Sequence, residues 1–468
     1  MKTDHLTTEQ KCVIIVAVLV NFVAPFMTSA LNLSIKTMST DFQCDMGATT
    51  WIVNAYTLAT AMFSIPLGHL ADIKGRRRMI ISGCAAYIAF AAFCVCSNVV
   101  WMVMAGRFLM GVTAAMFLGA ALPLMLSYFP PQQQGRYIGI SVAAVSVGVA
   151  VGPAVGGIMN DLWGWRSIFI LTIAICFVAL VICAKFVSAD KVEQSGKIDD
   201  MLGNVLFIAS TGVTMYGLGQ LGALWFAPVL LVVGIIAFVV FCVLEYRINR
   251  PAIQVRLFTD SAPYTLANLS NLVNFIAIYS VTYVMATHLQ TVYGLSSSIA
   301  GLVMMSTPVI QAICSPFAGR LSERIEPNRI ATAGMVAVSL GLVFLVQVGA
   351  IIPLPLIIVG LLFIGFGSAI FASSNTAAVL VCVDNEHKSE ANATISGMRG
   401  IGQCCALAMA GAVYQFTIPN ATVSSVDAAT LASSNAVIMA ASLIFAVITV
   451  VLCIAAAWTT SKGNKKSA

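Results

Sequence analysis

A charged stretch, Gly68-His-Leu-Ala-Asp72-Ile-Lys-Gly75-Arg76-Arg77-Arg78, lies between two membrane-length apolar runs at residues 51–67 and 79–96. Four basic residues within five positions predict a short cytoplasmic loop, because loops rich in Lys and Arg stay on the inner side of a membrane. The two glycines permit tight turns next to packed helices. Asp72 is placed to pair with Arg76 or with a nearby helix N-terminus.

The composition is that of a membrane protein. The chain has 468 residues, of which 59% are hydrophobic and 9% charged, whereas a soluble domain carries about 25% charged residues. The net charge of +6 is scattered over short loops, so we interpret it as a determinant of topology. We therefore expect the protein to lie in a lipid bilayer and to have no nucleic-acid partner.

The 13 cysteines give no sign of a cofactor. Nearly all lie inside apolar runs, only Cys44 lies clearly in an outside loop, and no disulfide or zinc spacing is present. Burial as small hydrophobic residues is the better interpretation. No P-loop or catalytic constellation appears, so we expect no cofactor, no enzyme and no ATP-driven pump.

Fourteen segments have the length and apolar character of membrane spans. They lie near residues 13–34, 49–70, 79–97, 100–128, 136–159, 166–187, 202–220, 225–245, 263–290, 297–319, 330–349, 353–381, 391–416 and 434–458. The first apolar run is too long for a signal peptide. An even count puts both termini on one side. Of the 24 Lys and Arg, 24 − 4 = 20 lie at cytoplasmic ends or loops, which places both termini in the cytoplasm. The four exceptions are Lys36, Arg107, Arg166 and Arg399.

Polar loops divide the predicted spans into three parts. Residues 1–190 form a first bundle of six helices, residues 191–260 contain two additional spans with their linkers, and residues 261–468 form a second six-helix bundle. If the middle pair were not a membrane hairpin, the chain would have twelve spans.

Small residues repeat along the fifth span. Gly148, Gly152 and Gly156 recur every four residues and line one helix face, where another backbone can approach closely. Gly157 adds a further small residue, and Pro153 kinks the helix. Plain helix packing accounts for this pattern, and so does a surface on which helices move during transport.

Together these features resemble the major facilitator superfamily of transporters. Its cytoplasmic signature, G-x-L-a-D-r-x-G-r-k, departs at Ile73 and is matched at Gly68, Leu70, Asp72, Gly75, Arg76 and Arg77. A weaker copy, Gly319-Arg-Leu-Ser-Glu-Arg324, starts 319 − 68 = 251 residues later. The fifth span matches every fixed position of the antiporter signature g-x-x-x-G-P-x-x-G-G.

Weaker local matches resemble the fourteen-helix drug/proton antiporter branch of that superfamily. They lie at Trp51–Tyr56, Asp200–Gly203, Leu289–Gly294 and Arg399–Gly402. The resemblance implies an all-α polytopic membrane protein with two six-helix bundles, two extra helices and an exporter function. It also implies gating by the signature loop and the fifth span. The expected gating residues are Gly68, Asp72, Gly75, Arg76, Gly148, Gly152, Pro153, Gly156 and Gly157.

Arg107 is a charge inside the fourth span. With Gly111 it fits the pattern R-x-x-q-G-x-g-a, which the family uses near its proton-transfer site, although Met110 replaces the usual Gln. A charge in mid-membrane costs about 2.5–3.5 kcal/mol on insertion scales, so we expect Arg107 to face the bundle interior. Bonding to carbonyls of the first helix and a role in coupling remain equally open for Arg107, whereas for Arg399 the structural interpretation is favoured over a functional one.

The main departure from the family is the absence of a membrane acid. Members of the branch carry an Asp in the first helix where this chain has Met27, although Asn32 matches. All 18 Asp and Glu residues lie at span ends, in loops or in tails. Proton coupling needs a titrating group, usually a carboxylate. Histidine can serve, but His69 lies in the cytoplasmic loop and we interpret His288 as an interfacial side chain.

Polar residues in the ninth span complete the candidate cavity. Asn268, Asn271 and Asn274 recur every three residues and, with Thr282, either line a cavity or bond between helices. The expected cavity residues are Asn32, Tyr56, Arg107, Met110, Asn271, Asn274 and Arg399.

The expected function is secondary active export of drug-like or metabolite small molecules. We expect a multi-pass monomer in the plasma membrane, with protons as the candidate coupling ion. Because the membrane acid is missing, an alternative remains. The protein would then be a facilitator, or a transporter that is not coupled to protons through a membrane carboxylate, and it would favour anionic or neutral substrates. A sensor or scaffold that lost transport has no positive support, because both signatures are intact.

Overall fold

The computed structural model describes residues 6–188, 201–248, 255–322, 325–349, 353–383, 388–419 and 426–467. The helices are α1 (Thr8–Leu31), α2 (Ile35–Phe42), α3 (Met46–Lys74), α4 (Arg76–Val95), α5 (Val100–Ser127), α6 (Pro131–Trp163), α7 (Arg166–Phe186), α8 (Met201–Gly219), α9 (Ala227–Arg247), α10 (Arg256–Asp260), α11 (Ala262–Thr291), α12 (Ser297–Met304), α13 (Ser306–Ser322), α14 (Pro327–Val346), α15 (Leu354–Val381), α16 (Lys388–Thr417) and α17 (Ala428–Ser467). Two short 3₁₀ helices, Asn32–Ser34 and Gln347–Gly349, lie among them.

Local sequence sets the helix ends. Thr7 and Gln10 form a capping box at the start of α1, each side chain bonding the other's backbone N–H, which satisfies two donors that the first turn leaves open. Gly75 ends α3 and precedes α4 with φ 98°, and Gly164 ends α6 with φ 75°. Residues with a side chain rarely adopt such angles, so the signature glycine at 75 sets the turn between α3 and α4.

Twelve helical segments in the described ranges are long and apolar enough to cross a membrane. This result confirms a polytopic all-helical protein, but it is two fewer than the fourteen spans that we expected. The two predicted spans that fall short are 49–70 and 391–416, which form α3 and α16 with 29 and 30 residues. Both helices pack against each other and against further neighbours, so their faces are less apolar than faces that contact lipid.

The described helices bury two large hydrophobic cores. One core is formed by residues of α1–α7, and we call these helices the first group. The other core is formed mostly by residues of α11–α17, which we call the second group, and it includes three residues of the first group. α8 packs on α9, α3 and α16, whereas α9 exposes Val229, Val232 and Ile236, as expected for a helix facing lipid. Most of the two loops that we used to divide the chain, 188–201 and 245–251, lies outside the described residues.

Glycine contacts hold α14 against α15 in the second group. A Cβ atom at Gly334 would lie 2.7 Å from the backbone nitrogen of Phe371 and 2.8 Å from the carbonyl oxygen of Gly367. These are backbone atoms that cannot move aside without shifting a helix.

We predict that Gly334→Ala lowers the free energy of unfolding by about 1–3 kcal/mol, the usual cost of overpacking. Thermal unfolding of the purified protein in detergent measures the effect. Gly139→Ala is the matched control, because no atom lies within 4 Å of a Cβ at Gly139. Equal unfolding temperatures for the two variants would contradict the packing.

Candidate functional site

At one end of the molecule the two helix groups are bonded together. We call the end that carries Gly68–Arg78 the signature end and the other the opposite end. At the opposite end Lys36 Nζ donates to the carbonyl of Gln290 at 2.7 Å. Gln290 Nε2 in turn donates to the carbonyl of Leu33 at 3.0 Å. The break between α1 and α2 is therefore tied to the end of α11.

Asp161, near the C-terminal end of α6, caps α12 of the second group. Its carboxylate oxygens accept from the backbone N–H groups of Ser297 at 3.1 Å and Ser298 at 2.7 Å. Asn160 donates to Ser297 Oγ at 2.9 Å and to Thr37 Oγ1 at 3.0 Å. A carboxylate at a helix N-terminus satisfies open donors and interacts favourably with the helix dipole, so Asp161 stabilises the closed opposite end.

The glycines of the fifth predicted span, now in α6, fall into two sets. A Cβ at Gly148, Gly152 or Gly156 would collide with α1 of the same group. One at Gly157 would collide with the backbone of Ser297, and one at Gly301 of α12 would collide with the carbonyl oxygen of Pro153. Only the last part of the motif thus contacts the second group.

The signature end differs from our expectation of a latch across the groups. Asp72 pairs with Arg76 at 3.0 Å, and Arg76 also donates to the carbonyl of Pro123 at 3.3 Å. All three belong to the first group, so in this structure the pair braces the α3–α4 turn. No atom lies within 4 Å of a Cβ placed on Gly68 or on Gly319, so both glycines face open space. Glu323 and Arg324 of the second copy lie outside the described residues.

Arg107 lies at the centre of the first group with no exposed surface. Its Nε donates to the carbonyl of Ile52 at 3.2 Å, and its guanidinium carbon lies 4.3 Å from the centre of the Tyr56 ring. Nη1 and Nη2 have no partner among the described residues. The carbonyl partner is in α3 and not in the first helix, which was one of the two alternatives, and it satisfies only part of the guanidinium.

Tyr279, a tyrosine of the second group that lies near Arg107, was not among the residues predicted from the sequence. Tyr279 of α11 lies close enough to interact electrostatically with both Tyr56 and Arg107, and Thr57 adjoins its hydroxyl. Tyr279 follows Asn268 by eleven residues, about three helical turns, so the two share a face. That spacing was the available signal.

Arg399, the second arginine of the predicted cavity, differs from Arg107 in its exposure. It is exposed although it lies in the middle of α16, and its guanidinium carbon is 5.3 Å from the centre of the Phe275 ring. The next residue, Gly400, packs on Ala61 of α3. Ala61 lies nine residues after Ile52, whose carbonyl binds Arg107. At 1.5 Å per residue the two arginines lie roughly 13 Å apart along α3, so they belong to different levels of the molecule.

The asparagines of α11 have different roles. Asn271 Nδ2 donates to the carbonyl of Ile395 at 2.9 Å, a bond between helices. Asn268 Nδ2 donates to the carbonyl of Tyr264 in its own helix at 3.0 Å. Asn274 is buried with its Oδ1 unpartnered. Asn271 is therefore a packing residue in this structure, and Asn274 remains a candidate for the site.

Two expected cavity residues lie apart from the arginines. Met110 is buried in the first core with its sulfur 3.9 Å from that of Cys94, because it faces α4. Asn32 is buried in the 3₁₀ turn after α1, near the opposite end, with its Oδ1 unpartnered. Met27, at the position where the family resemblance predicts an acid, is also in the first core.

His288 is not the interfacial side chain that we expected. Its exposed fraction is 0%, and its Nδ1 lies 3.1 Å from Asn435 Nδ2. Packing of α16 and α17 over the end of α11 causes this burial, which the position of His288 near a span end did not reveal.

The unpartnered polar groups around Arg107 are donors and hydroxyls. In the described residues no group of three His, Cys, Asp or Glu side chains is placed to hold a metal ion. The free guanidinium donors and tyrosine hydroxyls can instead bind electron-rich groups of a small molecule.

Comparison with known proteins places the chain among transporters. A family model described as Major Facilitator Superfamily matches residues 17–248 and 267–468. The chain is 27% identical to riboflavin transporter RibZ of Clostridioides difficile, over 84% of this chain and 86% of that protein. It is 29% identical to multidrug resistance protein Stp of Mycobacterium tuberculosis (82% and 72%), and 26% identical to methylenomycin A resistance protein of Bacillus subtilis (86% and 88%).

Solved structures share the fold at lower identity. A bacterial homolog to the human lysosomal transporter Spinster, in an inward-facing and unoccupied conformation, matches with a TM-score of 0.72 and 14% identity over 98% of this chain and 99% of that one. Peptide transporter POT in complex with sulfate matches with a TM-score of 0.72 and 13% identity over 98% and 97%.

We predict that Asp161→Ala opens the opposite end. Loss of a helix cap costs about 1 kcal/mol, which raises the ratio of open to closed molecules about fivefold. Double electron–electron resonance measures the ratio of open to closed molecules, with spin labels attached to keto amino acids at the exposed positions 43 and 430.

Asp260→Ala is the control for this prediction, because the Asp260 side chain bonds the neighbouring Thr259 at the other end of the molecule. An unchanged distance distribution in Asp161→Ala would show that the cap does not hold this end closed.

Proposed function

Because the chain belongs to the major facilitator superfamily, we propose that it exports drug-like or metabolite small molecules that are anionic or electron-rich and neutral. The family and the fold make it a multi-pass membrane transporter and not an enzyme. The proposal adds the direction of transport and the chemical class of the substrate. The names of the relatives, which mention riboflavin, multidrug resistance and methylenomycin A, support small organic substrates.

One observation carries the substrate class, namely the two free Nη groups of Arg107. A buried guanidinium needs compensation, and one carbonyl and one ring face supply only part of it. No acid of this chain is positioned in mid-membrane to complete it. A carboxylate, or the carbonyl of a polarised ring, would satisfy both donors at once, whereas a cation would be repelled.

We propose that transport alternates access between the two ends. The closed opposite end and the open glycines at 68 and 319 support a state open at the signature end. In the other state Gly68 and Gly319 would pack against facing helices, with Asp72 and Arg76 bonding across the groups as the expected latch. Pro153 and Gly157 then provide the contact with α12 that breaks and reforms.

The remaining assignments follow the same proposal. The signature end is cytoplasmic because of its basic residues, and both termini lie on that side. The membrane in question is the plasma membrane. The domains are residues 1–190, 191–260 and 261–468, as the two hydrophobic cores and the separate α8–α9 pair suggest. The transporter acts as a monomer.

We further propose that α3 and α16 also span, which gives fourteen helices and membership of the drug/proton antiporter branch. A helix of 29 residues is about 43 Å long, more than the hydrocarbon core of a bilayer, about 30 Å. The two helices contact each other from Gly47 with Gln415 at one end to Gly397 with Ile65 near the other. Helices that line an interior over their whole length need less hydrophobicity than those that face lipid.

The missing acid favours a second candidate function. A facilitator, or a transporter not coupled to protons through a membrane carboxylate, needs no titrating acid, and none lies in mid-membrane. Collapse of the proton gradient discriminates between the two, because it abolishes uphill export and leaves downhill flux unchanged.

We predict that cells producing this protein export the anion carboxyfluorescein, or neutral riboflavin, faster than the cation ethidium. Arg107→Ala should reduce anion export by about tenfold or more, since a hydrogen bond to a charged group is worth about 1.5–3 kcal/mol. Arg107→Lys should retain more activity because it keeps the charge. Initial efflux rates from dye-loaded cells measure both effects.

Arg256→Ala provides the control, because Arg256 is exposed and donates to the carbonyl of Tyr246 outside the site. Strong ethidium export that Arg107→Ala leaves unchanged would refute the substrate class.

We predict that a membrane-impermeant maleimide added to intact cells labels Cys96 but not Cys44. Cys96 is exposed between α4 and α5. Burial raises the pKa of the Cys44 thiol to about 11, with Asp45 adding to the effect, so little reactive thiolate forms at neutral pH. Mass spectrometry locates the label, and Cys96→Ser should remove it. Labelling of Cys96 only after the membrane is broken would mean that the orientation is reversed.

A further inference from the structure

His288 ends a chain of buried polar groups in the second group of helices. The Tyr414 hydroxyl of α16 donates to Asn435 Oδ1 of α17 at 2.7 Å. Asn435 Nδ2 faces His288 Nδ1 of α11 at 3.1 Å, and His288 Nε2 has no partner in the described part of the chain. His288, Tyr414 and Asn435 each have an exposed fraction of 0%.

The charged and titratable groups around this ring are few. Tyr293, just after the end of α11, contacts the His288 ring, and the centres of the two rings lie 5.4 Å apart. From α16 Tyr414 reaches it through Asn435, and from α2 Lys36 is bonded to Gln290 two residues away. The described residues of α12, α15 and the nearby part of α17 bring no acid or base toward it, so no carboxylate holds the ring in its charged form.

The bonding pattern fixes the protonation state of the ring. An amide nitrogen only donates. Since Asn435 accepts the Tyr414 proton on Oδ1, its Nδ2 donates and His288 Nδ1 must accept. The imidazole is therefore neutral, with its proton on Nε2. Adding a proton to Nδ1 would set two donors against each other. The amide would then have to turn over, and Tyr414 would have to accept and redirect its own proton, for which Thr287 is adjacent.

The same chain reaches the contact between the helix groups. The rings of Tyr414 and Tyr283 lie 6.2 Å apart, and the Tyr283 hydroxyl bonds Thr50 Oγ1 of α3 at 2.8 Å. Turning over the Asn435 amide thus disturbs groups packed against a bond that helps to close the opposite end. The closed state accepts only a neutral His288.

We propose that His288 is the proton-binding residue that couples transport in this protein. The inference rests on the proposed function, since it requires a transporter that alternates between two ends. A proton from outside water adds to the Nδ1 lone pair when the opposite end opens, which gives an imidazolium. As the opposite end closes again, the network expels the proton from Nδ1 toward the signature end, because the closed arrangement fits only the neutral ring, so one proton enters per cycle and no other bond changes.

The test uses the purified chain in proteoliposomes with carboxyfluorescein, riboflavin and ethidium as probes. Two modes are compared, namely exchange of a probe at equal pH and accumulation driven by a pH gradient. His288→Gln should keep exchange within about twofold and lose gradient-driven accumulation by about tenfold or more, since the site no longer titrates. His69→Gln is the matched control, because His69 is exposed. Elution profile and melting temperature show whether each variant is folded.

Nitrogen-15 spectra of the wild type supply an independent readout, because the chain has only 4 histidines and His288→Gln assigns one of them. We expect the His288 signal to change from a neutral to a charged ring as the pH is lowered.

Each outcome decides a separate point. Gradient-driven accumulation by His288→Gln at the wild-type level overturns the proposal. Exchange by the wild type without any response to the gradient also overturns it and leaves the proposed function standing. If the wild type moves none of the three probes, the substrate proposal fails. The spectra then decide alone, since a ring that stays neutral throughout refutes proton binding and a ring that becomes charged supports it.

Discussion

A chain in a bilayer must satisfy its polar groups internally, because lipid offers no hydrogen bonds. Most of this structure follows from that constraint. Helices satisfy the backbone, and the polar side chains must then either bond between helices or face an interior space. α9, with few such side chains, is left on the outside. α3 and α16 carry many of them and lie against each other inside.

The same constraint makes the two ends of the molecule unequal. At the opposite end a carboxylate on α6 meets the open N–H groups at the start of α12, and glycines allow the two backbones to touch. At the signature end the carboxylate of Asp72 is already paired with Arg76 in its own group. Bonds between groups are thus concentrated at one end, which is the asymmetry that a transporter with alternating access needs in each of its states.

In the centre the ionisable groups decide the chemistry. Under the proposed function Arg107 binds an electron-rich ligand through Nη1 and Nη2, which have no partner among the described residues. His288 is a titratable group and is built into a network that fits its neutral form. A permanent charge for binding and a titrating group for coupling can therefore lie on different helices, α5 and α11. A single carboxylate need not serve both purposes.

The sequence by itself determined the class of protein, its helices and its family, because span length, loop charge and the two signatures are local properties. It singled out Arg107, Tyr56 and Arg399 as candidates, because charged and aromatic residues inside apolar runs stand out. It could not show that Met110 and His288 are buried against other helices, or that Tyr279 lies near Arg107, because each depends on which neighbouring helix lies beside a given face. Met110 faces α4, His288 lies beneath α16 and α17, and Tyr279 meets α3. Helix periodicity fixes which residues share a face, but only tertiary packing decides what that face touches, and therefore which donors are left free.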